Sequence, residues 1–323
     1  MNRRWAEMTA LLTVAGIGGC RQTPIPEWQR YPAGTSVAAR LVSVNKHVLR
    51  VVDTGRGSTV VLVHGLAASI YAWRYTVPIL AEAGFRVIAF DNLGFGYSDK
   101  PARGYSNADY IALLIGLMDT LGVSDAVLVG HSMGGAIAVE AALAEPRRVT
   151  GLVLVDAAGF GVRWPLMLTV ARRPLVGAIV DRFRGRAATG RILRQLYADP
   201  SRVTDQDIDQ YYAPLAEPGA GRALRGVLSE YRFDTLRDRI DSVTAPTLVM
   251  WGGEDRLIPP AVGQGVVARL QRGAFVLVPG AGHVLPEEAP GPFNRTLLAF
   301  LTRGLAIPPH NVAWVDTWRS ELH

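Results

Sequence analysis

Residues 127–135 read Val127-Leu128-Val129-Gly130-His131-Ser132-Met133-Gly134-Gly135, an apolar run that ends in Gly-x-Ser-x-Gly and continues in small, helix-compatible residues. The run reads as a buried strand that turns sharply into a helix, with the serine on the turn and its hydroxyl lifted out of the sheet. Glycine is expected at 130 and 134 because the turn brings their backbones so close that a Cβ at either position would clash. The helix that follows aims its N-terminus at the serine, so the N–H of Met133 is placed to stabilise negative charge forming beside the hydroxyl.

Working outward, continuous apolar segments at 58–63, 87–90, 126–129, 152–155, 247–251 and 275–278 read as strands buried on both faces. Residues 38–44 and 47–53 alternate around Asn45-Lys46 and predict a hairpin. Helical spacing is found at 71–83, 107–121, 133–144, 260–271 and 288–303. Strands and helices in alternation imply an α/β fold with a mainly parallel sheet covered on both sides, whose active site lies at the carboxyl ends of the strands. The alternation breaks at 160–241, where helix-like segments contain no convincing core strand.

A chain of 323 residues with 49% apolar residues buries a large core. The formal charge is +6, and arginine is concentrated in one place: between 160 and 200 there are eight (Arg163, Arg172, Arg173, Arg182, Arg184, Arg186, Arg191, Arg194) against Asp181 and Asp199. No motif interleaves aromatic and basic residues in the manner of a nucleic-acid binder, so none is expected as a partner. A solvated basic face is one reading of the arginines. The other is a surface that meets an anionic membrane, because Trp164, Leu166, Met167, Leu168 and Val170 lie among or beside them.

Five motifs along the chain resemble the α/β-hydrolase fold superfamily and its serine hydrolases, over roughly residues 38–303. They are His64-Gly65, Asp91-Asn92-Leu93-Gly94-Phe95-Gly96-Tyr97-Ser98, Gly130-His131-Ser132-Met133-Gly134-Gly135, Gly252-Gly253-Glu254-Asp255 and Gly280-Ala281-Gly282-His283. The resemblance implies an eight-stranded, mainly parallel sheet with helices on both faces. It makes 38–159 and 242–303 the catalytic core and 160–241 an inserted helical cap. Residues 304–323, with Trp314 and Trp318, have no counterpart in the family.

A serine hydroxyl is a poor nucleophile near neutral pH, so it needs a base within hydrogen-bond reach, and the base needs an orienting carboxylate. His283, in its Gly-Ala-Gly-His loop, is the best base. Asp255 is the family's acid position and gives the order Ser, Asp, His along the chain. Asp156, at the end of the preceding strand, is the rival that some relatives use, and Glu254 adjoins Asp255. Asp91 reads as a turn former.

By resemblance, the oxyanion donors are the N–H groups of Leu66 and Met133. Leu66 through Ser69, Ala67 among them, with Trp73 beyond, are expected to line the acyl side of the pocket, and Gly65, His64 and His131 to lie beside the substrate. For these two histidines the simpler expectation is structural: His64 shapes the oxyanion loop, and His131 is packed or hydrogen-bonded in the elbow.

The expected reaction is ester hydrolysis through an acyl-enzyme, on a small-molecule or lipid ester, with no metal or organic cofactor. Relatives that attack with an aspartate are excluded by Ser132. Carbon–carbon hydrolases of ring-cleavage diketones, thioesterases and lactonases stay open. The carbon–carbon hydrolases generally carry a different, proline-containing oxyanion loop, whereas Leu66-Ala67-Ala68-Ser69 looks more like the esterase kind. A non-catalytic binding protein of this fold is a separate class, and reaction with a fluorophosphonate probe discriminates it.

At the N-terminus, Met1-Asn2-Arg3-Arg4, a mostly apolar run over 5–17 and Ile17-Gly18-Gly19-Cys20 resemble a bacterial lipoprotein signal, with Cys20 the acylated residue. Glu7 favours the opposing reading of a simple N-terminal helix with a stray cysteine. Residues 21–37, with Pro24, Pro26 and Pro32, read as an extended linker. Export with membrane anchoring is the expectation, and a cytoplasmic protein is the alternative.

Overall fold

The computed structural model of the protein describes residues 38–161 and 185–303. Cys20, the linker, the 304–323 tail and five of the eight clustered arginines (Arg163, Arg172, Arg173, Arg182 and Arg184) lie outside the described residues, as do Trp164, Leu166, Met167, Leu168 and Val170. Among the described residues no helix is long and apolar enough to cross a membrane.

Eight strands form one sheet: β1 (Arg40–Val44), β2 (His47–Gly55), β3 (Thr59–Val63), β4 (Arg86–Phe90), β5 (Ala126–His131), β6 (Val149–Val155), β7 (Thr247–Gly252) and β8 (Gly273–Val278). Their order across the sheet is β1-β2-β4-β3-β5-β6-β7-β8. β2 runs antiparallel to both β1 and β4, and every other pairing is parallel. The hairpin turns at Asn45, whose φ is 55°, a left-handed conformation that asparagine tolerates better than most residues.

Period-two alternation divides strands β3 to β8 between two cores, while β1 buries only Val42 and Val44. On β3, Val61 and Val63 face one apolar cluster while Val60 and Leu62 face the other, and all four are fully buried. The first cluster is covered by α2 (Asn107–Thr120), α3 (Met133–Ala144) and the helix over Pro260–Val267. The second is covered by α1 (Val77–Glu82) and the helix over Pro290–Thr302, through Val77, Leu80, Phe293, Leu297 and Phe300.

Between β6 and β7 the described chain is helical: α4 (Arg186–Leu196), α5 (Asp205–Ala216) and α6 (Ala220–Glu230), with no strand among its described residues. After β7 come α7 (Pro260–Val267), β8, the single turn α8 (Leu285–Glu288) and α9 (Pro290–Thr302).

The stretch 71–83 is not one helix. A 3₁₀ turn over Ile70–Trp73 is separated from α1, and Pro78 stands in the first turn of α1. Proline has no N–H to donate into a preceding turn and fits only at a helix start, so a continuous helix across it is disfavoured.

Candidate active site

β5 delivers Ser132 to the sheet edge, and α3 begins at the next residue. Ser132 has φ 52° and ψ −117°, a backbone conformation costly for a side-chain-bearing residue. Two features hold it there: its N–H donates to the carbonyl of Val155 at 2.9 Å, and its own carbonyl accepts from Gly135 at 3.0 Å. A Cβ on Gly130 would lie 2.5 Å from the carbonyl carbon of Gly134, as the elbow requires. A Cβ on Gly134 would instead run into the end of β3, 2.7 Å from the oxygen of His64. The second glycine is therefore needed for packing against the neighbouring strand, which the elbow motif alone does not reveal.

The loop after β8 returns His283 to the serine. His283 Nε2 is 3.1 Å from Ser132 Oγ, and Nδ1 is 2.8 Å from Asp255 Oδ2. The carboxylate can only accept, so the proton sits on Nδ1 and leaves Nε2 free to accept from the serine hydroxyl. The other oxygen of Asp255 accepts from the N–H groups of Leu257 at 2.8 Å and Ile258 at 2.9 Å, which fixes the carboxylate plane. Ser132, His283 and Asp255 are 6%, 4% and 4% exposed, so these contacts form out of bulk water.

The carboxylate bonded to His283 is Asp255, and Asp156, the rival acid, bonds to β7. It follows β6 with φ 46°, and its Oδ1 accepts the N–H of Gly252 at 2.8 Å. Burial, and next the charge of Asp255, push its carboxyl well above the usual carboxylate range. Asp156 thus pins the end of β7 a few residues before Asp255.

Both candidate histidines beside the site are tied into the backbone. His64 is fully buried; its Nε2 accepts from the N–H of Asn92 at 2.8 Å, so its Nδ1 carries the proton toward the carbonyl of Gly65 at 2.8 Å. Burial lowers its pKa, so it stays neutral. His131 Nε2 lies 2.7 Å from the carbonyl of His283, and since a carbonyl only accepts, that nitrogen carries the proton. Burial, then the proximity of His283, push His131 down to about 3. Its neutral ring, centred 5.0 Å from that of His283, adds no opposing charge when the latter is protonated.

Gly65 approaches the serine closely: a Cβ there would be 3.1 Å from Ser132 Cβ, which brings the Gly65–Leu66 peptide alongside Ser132. Met133 is the first residue of α3, so its N–H has no acceptor within the helix. Leu66 and Ala67 are half-buried against the first core cluster, and Ala67 has φ 57°. Trp73 is placed elsewhere. It is fully buried in the second core cluster, its ring 6.3 Å from that of Phe293, because the turn that carries it winds down onto the sheet instead of along the pocket. Ser69, expected to line the same side, instead caps that turn by accepting the N–H of Tyr71 at 3.2 Å.

Three acidic residues join the site to its surroundings in ways the local sequence does not signal. Asp91 is more than a turn former: fully buried, it accepts from the N–H groups of Ile70 at 2.7 Å and Tyr97 at 2.8 Å and pairs with Arg50. Glu287 pairs with Arg74 and accepts from the hydroxyl of Tyr211, while Arg74 also holds Asp207 at 2.8 Å. Glu288 accepts from backbone N–H groups of the turn that follows α4 and of the histidine loop. The one available signal is the pair of carboxylates inside the otherwise apolar Val284-Leu285-Pro286-Glu287-Glu288-Ala289-Pro290.

A family profile described as alpha/beta hydrolase fold matches residues 58–290. The chain is 29% identical over 260 residues to the uncharacterized hydrolase YugF of Bacillus subtilis (strain 168), covering 80% of this chain and 94% of that protein. It is 32% identical over 263 residues to the 2-hydroxy-6-oxononadienedioate/2-hydroxy-6-oxononatrienedioate hydrolase of Paraburkholderia xenovorans (strain LB400), covering 77% of this chain and 89% of the relative. Among solved structures, the meta-cleavage product hydrolase CumD of Pseudomonas fluorescens IP01 aligns with a TM-score of 0.72 at 26% identity, over 82% of this chain and 97% of that one.

Proposed function

Because the chain belongs to the α/β-hydrolase fold family, we propose that it is a serine hydrolase that cleaves carboxylic esters through an acyl-enzyme on Ser132. The observation that supports this most directly is the unbroken chain from Ser132 Oγ through His283 to Asp255. His283 takes the hydroxyl proton as Ser132 attacks the carbonyl carbon, and Asp255 stabilises the imidazolium that forms. The tetrahedral oxyanion is received by the N–H groups of Leu66 and Met133. Collapse expels the alcohol with the proton from His283. Water, deprotonated by the same histidine, then releases the acid. The α4–α6 insertion serves as the cap over this site.

A second reading, hydrolysis of the carbon–carbon bond of a ring-cleavage diketone, is favoured by the activities for which the Paraburkholderia relative and CumD are named. The test is a panel of p-nitrophenyl esters of increasing acyl length assayed beside a ring-cleavage diketone. Ester turnover exceeding diketone turnover in kcat/KM supports the first reading, and the reverse order supports the second.

Location is a separate proposal. The mostly apolar run over 5–17, followed by Gly18-Gly19-Cys20, supports export and acylation of that cysteine. Membrane fractionation of the wild type, lost in Cys20→Ser, is the expected result; an unmodified chain in the soluble fraction would contradict it.

A further inference from the structure

Glu288 is 3% exposed and lies five residues beyond His283, at the end of α8. Its Oε2 accepts from the N–H of Gly282, the residue before His283, at 2.6 Å, and from the N–H of Ala198 at 3.0 Å. Its Oε1 accepts from the N–H of Asp199 at 2.8 Å, and its own carbonyl accepts from Arg202 Nη1 at 2.7 Å. One buried carboxylate therefore grips two separate segments: the histidine loop and the turn that follows α4 in the insertion. Three N–H donors compensate for taking the charge out of water, and bonds to a charged acceptor are roughly twice as strong as neutral ones.

The two gripped segments also touch each other directly. The N–H of His283 donates to the carbonyl of Leu196 at 2.8 Å. Gly282 has no room for a side chain, since a Cβ would lie 2.7 Å from the nitrogen of Ala198. The backbone of His283 is thus held at its N–H by the insertion and at its C=O by His131, and its ring is held by Asp255.

We propose that Glu288 is a positioning residue for His283. By clamping Gly282 to the N–H groups of Ala198 and Asp199, it makes the turn after α4 a fixed support for the base, so that the insertion takes part in proton transfer as well as covering the site. The inference rests on the reading of His283 as the base. A displacement of a reacting group by about 1 Å costs on the order of 100-fold in rate, so loosening this clamp acts on chemistry before it acts on binding.

The experiment measures fluorophosphonate inactivation of the whole chain, resolved into the maximal rate kinact and the half-saturation constant KI, on two variants checked for folding by circular dichroism. Glu288→Gln keeps the size of the side chain but turns an amide nitrogen toward a backbone donor. Gly282→Ala leaves Glu288 in place and wedges the insertion away from the histidine loop. Both are expected to lower kinact about 10- to 100-fold with KI within about threefold of wild type. Both should also weaken the low-field proton resonance shared by His283 and Asp255. Wild-type kinact in either folded variant would overturn the proposal, as would a change confined to KI. His283→Ala separates the two claims. If it too inactivates at the wild-type rate, the reading of the site has failed. If it alone is unreactive while both other variants behave as wild type, only the role of Glu288 has failed.

Discussion

His131 donates its Nε2–H to the backbone carbonyl of His283 at 2.7 Å, so the residue preceding Ser132 holds the main chain of His283. The two ends of the site are joined across 152 positions of sequence by this bond as well as by the serine–histidine contact. His131→Phe removes the donor while keeping an aromatic ring. We expect kcat about 10- to 100-fold lower with little change in KM, while His131→Gln, which retains an N–H donor, loses less. Equal kinetics in the phenylalanine variant and wild type would remove this role.

The same histidine gives the protein a pH signature. Burial first, then His283, lowers its pKa to about 3, below the value of about 6.5 it has in the unfolded chain. Between those values the unfolded state binds more protons than the native one, so this contribution is complete above about pH 6.5 and declines as pH falls toward 3. His64 is shifted in the same direction, again by burial. Urea unfolding should therefore show wild-type stability falling faster than that of His131→Gln, by about 1.4 kcal/mol per pH unit in this window. Parallel curves for the two proteins would contradict the assignment.

The two aspartates separate by substitution. Asp255→Asn leaves His283 without a carboxylate, and kcat should fall by about 10⁴. Asp156→Asn replaces a carboxyl that burial pushes well above the usual range with a side chain of the same size, and its oxygen can still accept from Gly252. That variant should be folded and largely active. The opposite pattern, in kcat measured on one ester, would move the acid to β6.

Arg74 stands at the centre of a buried charge cluster. Both Glu287 and Asp207 pair with it, and its side chain is 6% exposed. Arg74→Met leaves two buried carboxylates facing each other without a cation, and should cost about 3–5 kcal/mol. Arg74→Lys should recover only part, because a single ammonium cannot fork to two partners as guanidinium does. A urea midpoint for Arg74→Met matching wild type would show that the cluster contributes nothing net.

Much of this architecture is legible in the sequence because it is built from local signals. The helix expected at 133–144 is found as Met133–Ala144, and the hairpin turns at the expected Asn45. Those elements are specified by apolar periodicity and by glycines that only one backbone geometry accommodates. The residues Ser132, Asp255 and His283 stand at strand ends and are brought together as their motifs imply. What is not legible depends on distant partners. Glu288 reads locally as the start of a terminal helix, yet its partners Ala198 and Asp199 are 90 and 89 residues away. Trp73 reads as a pocket residue by proximity in sequence to Leu66, and only the descent of its turn onto Phe293 puts it in the core. The second elbow glycine is explained by β3, a strand 71 positions earlier at Val63, and not by its motif companion Gly130.

The claim on which the rest depends is that Ser132 becomes acylated with His283 as its base. Peptide-level mass spectrometry of the protein quenched during turnover of a p-nitrophenyl ester tests it directly. A single acyl adduct is expected on the peptide containing Ser132. That adduct should be absent from Ser132→Ala and should fail to accumulate in His283→Ala. An adduct on another residue, or hydrolysis persisting at the wild-type rate in Ser132→Ala, would contradict it.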